Sequence, residues 1–537
     1  MSEENWELVA KQKRHSVRAE IPSKWILDSI PSADEEPNTL EYLDKIVTKK
    51  TLSITSKTMR ELIKQISSGE LTSLEVTEAF CERAAYAHQI LSCCSEIFFD
   101  RALETAKKLD AYYKETGKVV GPLHGIPVSL KDQVNLEGIE TSIGYVSHLG
   151  KPATKDDESV IAHLLRDAGA VFYVKTTVPM AMMAGDTHSN IWGYTYNSIN
   201  RHLSAGGSSG GEGALIGSHG SLIGLGTDIG GSIRIPAAFN HLFGLRPSHG
   251  RIPYLNVTNS YSGQSVIPSV IGPLAKDLDD LEVFTKIIVD AESWNQDPKV
   301  VPIPWRHVSL ENKLSFGVMR WDGVIHPNPP VNRAIEMTIT ALIKAGHEVI
   351  DWEPQGHAEI LQVTGNIYNA DGYKEILDTC EISGEPSLVQ KEGLVARTLN
   401  EHWSDADDKY RIQKRYMDYW NETSKRTFNG KPVSAWILPA WESASFKPYT
   451  PDALSTYMAT INLLDYSAVT VPVTYVDKNV DTPYPDFVPA NKIDKDVHEW
   501  YDPVSFDGAP VGVQVVTRRL EEEKAIAIAR VLRDCLA

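Results

Sequence analysis

Three serines and one lysine stand in unusual company. Thirteen of the chain's 36 glycines fall within residues 206–250, and Ser208, Ser209 and Ser232 lie among them. One stretch reads Gly206-Gly-Ser-Ser-Gly-Gly-Glu-Gly, the other Gly226-Thr-Asp-Ile-Gly-Gly-Ser-Ile-Arg. Glycine lets backbone approach a ligand closely and turn through positive φ. A turn at Ile229, Gly230, Gly231 and Ser232 that exposes consecutive backbone N–H groups can face a developing oxyanion, with the Ser232 hydroxyl as nucleophile. Such a serine needs a base. Lys131 ends an apolar run, Pro127-Val-Ser-Leu, where an ammonium is poorly solvated. A lysine kept neutral by burial can accept a proton. Asp132 opposes this if its carboxylate is close, and a structural ion pair is the alternative role for Lys131.

Other chemistries of glycine and serine fail residue by residue. A P-loop needs G-x-x-x-x-G-K-[ST], and no lysine follows these glycines in that register. A dinucleotide loop needs G-x-G-x-x-G, but Gly224-Leu-Gly226 is followed by Thr, Asp and Ile229. Gly206-Gly-Ser208-Ser-Gly210 matches the nucleophile elbow G-x-S-x-G. The elbow follows an apolar strand, however, and Asn200-Arg-His-Leu-Ser-Ala is not one. His124, His188, His202, His219, His241 and His249 lie near these motifs without a metal-ligand spacing. No metal and no cofactor are expected.

At these residues the chain resembles the amidase signature family, and most nearly its fungal acetamidases. The resemblance rests on Gly121-Pro-Leu-His-Gly-Ile-Pro-Val-Ser-Leu-Lys-Asp, the two glycine blocks with Ile235-Pro-Ala-Ala-Phe, and Gly244-Leu-Arg-Pro-Ser-His-Gly-Arg. It implies a large mixed sheet flanked on both faces by helices. It also implies a triad of Ser232 as nucleophile, Ser208 as bridge on a cis peptide after Gly207, and Lys131 as base. The N–H groups of Ile229, Gly230, Gly231 and Ser232 would form the oxyanion hole. Ser209, Asp228 and Arg234 would support the site. Met180, Met182 and Met183 fall where the family lines its acyl pocket, with core packing as their alternative role. The implied reaction is hydrolysis of small carboxamides, with carbamate esters such as ethyl carbamate as further substrates. An esterase using Ser208 and an amidotransferase-type subunit needing a partner are the alternatives. One departure is visible: Asn197-Ser198 stands where relatives often carry Asn-Pro.

The elements that must hold these residues follow an α/β grammar. Thr58 with Glu61 and Thr72 with Glu75 form capping boxes, the first helix ending at Gly69 and the second near Ala87. A third helix is expected over 100–115, stopped by Gly117. Strands are expected over 126–130, 170–174, 347–352, 436–438, 468–475 and 511–516. Helices are expected over 159–168, 331–345 and 520–536, and Glu212 braces or caps one starting near Gly211. Residues 477–503 read as a Pro/Asp-rich loop. Residues 1–55 read as a helical extension and 56–537 as one domain. Trp6, Val9, Val17, Ile21, Trp25 and Ile26 need a surface, on the body or on a second subunit, which favours a homodimer.

Composition sets the background. A hydrophobic share of 42% and a charged share of 23% exclude wholesale disorder. A net charge of −18 argues against tracking nucleic-acid phosphates. Five cysteines with no C-x-x-C pair favour free thiols. With no signal peptide and no long apolar run, the expectation is a cytoplasmic protein without a membrane span.

Overall fold

The computed structural model describes residues 5–389, 393–450 and 455–537. Its strands are β1 (Cys94–Ile97), β2 (Pro127–Lys131), β3 (Val171–Thr176), β4 (His188–Ser189), β5 (Gly193–Tyr194), β6 (Ile223–Asp228), β7 (Phe243–Arg246), β8 (Val270–Ala275), β9 (Ser315–Val318), β10 (Glu348–Asp351), β11 (Ala435–Pro439), β12 (Ser467–Tyr475) and β13 (Pro510–Thr517). All but the small β4–β5 hairpin join one sheet of 11 strands, ordered β1-β3-β2-β6-β8-β7-β12-β13-β11-β9-β10. β2 lies parallel to β3 and β6, and β9 parallel to β10 and β11, while the middle from β6 to β13 is antiparallel. The sheet is therefore mixed.

Alternation of side chains covers both faces. Val513 and Val515 of β13 enter one apolar cluster with Ile335 and Leu342 of the Pro329–Lys344 helix and Ile526 and Leu532 of the Glu522–Leu536 helix. Val516 enters a second cluster with Tyr457 and Ile461 of the Thr456–Leu464 helix. β11 repeats the split, Ile437 to the first cluster and Trp436 to the second. Each such side chain, fully buried, contributes about 1.5–3 kcal/mol relative to exposure.

Local signals set the helix ends. Both expected capping boxes form, at Thr58 with Glu61 and at Thr72 with Glu75. The second helix runs on to Leu91, because Ala87, Ile90 and Leu91 remain on its buried side. Gly117 caps the Phe99–Thr116 helix in the left-handed region. One expectation needs correction: the Pro/Asp-rich segment 477–503 contains a helix, Lys492–Trp500. Asn491 caps it, Val497 is buried beneath it, and Lys492–Asp496 and Lys495–Glu499 pair at i,i+4 spacing.

The N-terminal apolar residues find their cover on the chain itself. The Trp6–Ala19 helix buries Ala10 and Val17 against the main core, and Lys13 pairs with Glu96 of β1 at 2.5 Å and with Glu140 at 3.1 Å. Trp25 meets the Phe99 ring edge-on at 5.8 Å. The surface that motivated a second subunit is thus supplied within the chain. Among the described residues no helix is long and apolar enough to cross a membrane.

Candidate active site

β2 and β6 are parallel neighbours with Leu130 opposite Leu225, so both end on the same side of the sheet. Crevices beyond the carboxyl ends of parallel strands are the usual sites in open α/β sheets. Lys131 ends β2 and Asp228 ends β6. Within β2, Val128 and Leu130 enter the apolar core, while Ser129 and Lys131 turn to polar partners.

Lys131 is fully buried. Its Nζ lies 2.8 Å from Ser208 Oγ and 2.7 Å from Thr227 Oγ1. Burial brings its pKa from 10.5 down to about 7, against the pull of the Asp228, Glu212 and Asp132 carboxylates. Asp132, adjacent in sequence, commits its carboxylate elsewhere: it accepts from Ser95 Oγ at 2.7 Å, Ile143 N–H at 2.7 Å and Ser142 N–H at 3.0 Å. The ion pair that Asp132 could have made with Lys131 is absent among the described residues.

The peptide between Gly207 and Ser208 is cis. Ser209 follows, and its Oγ accepts from the Thr227 N–H at 3.3 Å. The Ser209 N–H donates to the Ser232 carbonyl, also at 3.3 Å. These bonds join the two glycine loops. The Gly210–Gly217 helix then begins, carrying Glu212 against β2 and β3, where it accepts from Ser129 Oγ at 2.6 Å and Thr176 Oγ1 at 3.0 Å. Burial raises the Glu212 pKa to about 7, against these hydrogen bonds and the charge of Lys131. Gly224 makes room for it: a Cβ there would stand 1.9 Å from Glu212 Oε2.

Asp228 holds the other loop. Its Oδ1 accepts from Gly231 N–H at 2.8 Å and its Oδ2 from Ile233 N–H at 3.2 Å. Arg234 Nε and Nη2 reach the same carboxylate at 3.0 and 3.1 Å, a two-pronged pair with both side chains fully buried. Burial alone would raise the Asp228 carboxyl, but the Arg234 guanidinium holds it well below the usual carboxylate range. Gly231 adopts φ +121°, which lets the chain turn tightly onto this carboxylate.

This arrangement narrows the expected oxyanion donors. Gly231 N–H is already committed to Asp228, so it is not one of them. Among the described residues no hydrogen bond occupies the N–H groups of Ile229, Gly230 or Ser232. Ser232 itself is 6% exposed. Met180 and Met182 are buried in a cluster with Ile143, Tyr145 and Ile376, a packing role. Met183 is half-buried where that cluster meets the one on which Ile229 packs. Among the described residues no group of three His, Cys, Asp or Glu side chains could hold a metal ion.

Several residues around the site carry no motif of their own. Tyr368 donates its hydroxyl to the Ile229 carbonyl. Asn462 and Gln514 accept from Arg234, each at 2.7 Å. Gln133 accepts from Thr227 Oγ1 at 2.6 Å. Thr227 lies inside the Gly226-Thr-Asp block, the one sequence signal for this group. At the Asn197-Ser198 departure, Ser198 uses the N–H that a proline would lack: it donates to Asn240 Oδ1 at 3.0 Å.

A family model described as Amidase matches residues 75–526. The chain belongs to the amidase family, and it is an enzyme that hydrolyses amides. The acetamidase of Emericella nidulans is 42% identical over 541 residues, covering 98% of this chain and 97% of the relative. The acetamidase of Aspergillus oryzae is 43% identical over 544 residues, covering 98% of each. The solved structure of a fatty acid amide hydrolase superposes with a TM-score of 0.94 at 32% identity, over 99% of this chain and 95% of that one.

Proposed function

We propose that this chain hydrolyses short aliphatic carboxamides through an acyl-enzyme formed on Ser232. The carrying observation is the 2.8 Å contact between Ser208 Oγ and the Nζ of a buried lysine whose pKa is about 7. A base poised near neutrality is what proton abstraction from a hydroxyl requires. The identity to relatives named acetamidases supports a small acyl group.

Ser232 Oγ attacks the amide carbon while its proton passes to Ser208 and the Ser208 proton passes to Lys131. The carbonyl electrons move onto oxygen, where the N–H groups of Ile229, Gly230 and Ser232 stabilise the charge. The relay then returns a proton to nitrogen, the C–N bond breaks, and ammonia leaves. Water, deprotonated through the same relay, attacks the ester and frees the acid and Ser232. Ser209, Asp228 and Arg234 hold the two loops in register for these transfers. The same attack reaches the carbonyl of a carbamate ester, so ethyl carbamate is the second substrate class.

The test is a hydrolysis screen of the purified chain alone on acetamide, longer amides and ethyl carbamate. Ser232→Ala is expected to lower kcat/KM by at least about 10³-fold, as removal of other triad nucleophiles does. Full activity in that variant rejects the reading. A fluorophosphonate label on Ser208 rather than Ser232 favours the esterase arrangement. Activity that requires a partner favours the subunit alternative.

A further inference from the structure

Gln133 is fully buried two residues beyond Lys131, and the orientation of its amide follows from its neighbours. One end lies 3.0 Å from the Thr258 carbonyl oxygen, which can only accept. That end is therefore Nε2. It also reaches Tyr254 Oη at 2.9 Å, while the Tyr254 hydroxyl donates onward to Ser269 Oγ at 3.0 Å. The other end, Oε1, faces Thr227 Oγ1 at 2.6 Å. An amide oxygen can only accept, so Thr227 donates its single hydroxyl proton there. Toward Lys131 Nζ, 2.7 Å away, the Thr227 oxygen has only lone pairs to offer. Lys131 must donate to it. With one of its two N–H groups engaged there, the neutral amine can turn its lone pair to its other neighbour, Ser208 Oγ, 2.8 Å away.

We propose that Gln133 is a positioning residue that sets the direction of this hydrogen-bond chain, so that the Thr227 proton points away from Lys131 and the base is free to present its lone pair to the bridging serine. The proposal rests on the Ser232–Ser208–Lys131 reading above. Among the described residues the Thr227 hydroxyl has two hydrogen-bond partners, so without the Gln133 oxygen its remaining partner is the Lys131 amine. It turns, donates to the lone pair, and masks the base. A donor to the neutral amine also favours that form over the ammonium. The rate should fall while the acid limb of the pH profile moves to lower pH. A loosened loop has no reason to produce that pair of effects.

The test measures kcat, KM and the pH dependence of kcat/KM on a small amide for Gln133→Met, Thr227→Val, the double variant, and Lys131→Met. Gln133→Met is expected to lower kcat by about 10-fold or more with KM nearly unchanged, part of the roughly 10²–10⁴-fold that a general base contributes. Its acid limb should move to lower pH. Adding Thr227→Val removes the competing donor and should recover part of the lost kcat, so the double variant is faster than Gln133→Met. A double variant no faster than Gln133→Met, or an unmoved acid limb, overturns the proposal. Gln133→Asn withdraws the same acceptor while keeping an amide, and carries the same expectations if Gln133→Met does not fold. Lys131→Met tests the underlying reading separately: if it keeps activity, the triad fails whatever Gln133 does.

Discussion

The Tyr368 hydroxyl donates to the Ile229 carbonyl, and that bond fixes more than one atom. A peptide unit is planar, so the Ile229 C=O and the Gly230 N–H point in opposite directions. With the carbonyl held by Tyr368, the Gly230 N–H is turned to the other side, as an oxyanion donor must be. Tyr368 ends the His357–Tyr368 helix, 139 residues from Ile229 in sequence. Tyr368→Phe is expected to lower kcat by about 10-fold with a small change in KM, less than the 10²–10³ of deleting a donor outright. Steady-state kinetics on a small amide check it. An unchanged kcat would show that the peptide keeps its orientation without the hydroxyl.

The rate should depend on pH through Lys131. In the proposed mechanism its neutral form is the base, and burial lowers its pKa to about 7. kcat/KM should therefore rise with pH through about 7 and level off above it. Glu212, as a carboxylate, favours the ammonium form of Lys131. Glu212→Gln removes that pull, so the acid limb should move to lower pH. A shift to higher pH in this variant contradicts the assignment of the limb to Lys131.

The Asp228–Arg234 pair should matter more to folding than its two contacts suggest. Both side chains are fully buried, and Arg234 also reaches Asn462 and Gln514. Arg234→Met leaves a buried carboxylate without its cation, a loss of about 3–5 kcal/mol. The expected readout is a clearly lowered denaturant midpoint together with lost activity. A variant with wild-type stability but no activity would assign Arg234 a direct chemical role instead.

Gly224→Ala tests the packing behind the site. The added carbon would meet Glu212 Oε2 at 1.9 Å and Ser129 Oγ at 2.3 Å. Overpacking of this kind costs about 1–3 kcal/mol, so a lowered thermal midpoint is expected. Pairing it with Glu212→Ala should relieve the clash, and the double variant should lose less than the sum of the two.

The parts of this molecule that were legible in sequence are those whose cause is local. A capping box spans four residues, and Thr58 with Glu61 declares itself. The glycine loops are equally compact, and Lys131 and Ser208, which meet at 2.8 Å, each lie within a short block. The helix at Lys492–Trp500 is the exception: its Asn491 cap and its i,i+4 ion pairs are local, but the surrounding Pro and Asp residues carry the opposite signal, that of a loop. Gln133, Tyr368, Asn462 and Gln514 were hidden for a different reason. Each acts through a partner 94 to 280 residues away, and no spacing along the chain encodes such a meeting. The fate of Gly231 N–H was likewise invisible, since the donor is backbone and its acceptor is fixed by the turn.

A sheet this wide has two rims, and both are kept short. β1 and β10, the outermost strands, have four residues each, whereas the long buried strands β12 and β13 lie well inside. The Trp6–Ala19 helix lies against β1, tied by Lys13 to Glu96. β10 begins and ends in carboxylates, with Glu348 accepting from Ser315 and Phe428 and Asp351 paired to Arg320. Brief strands, charge and a covering helix deprive an incoming chain of a template. The wide sheet is thereby protected from growing by addition of further strands, and crowded copies of this enzyme have little purchase for edge-to-edge aggregation.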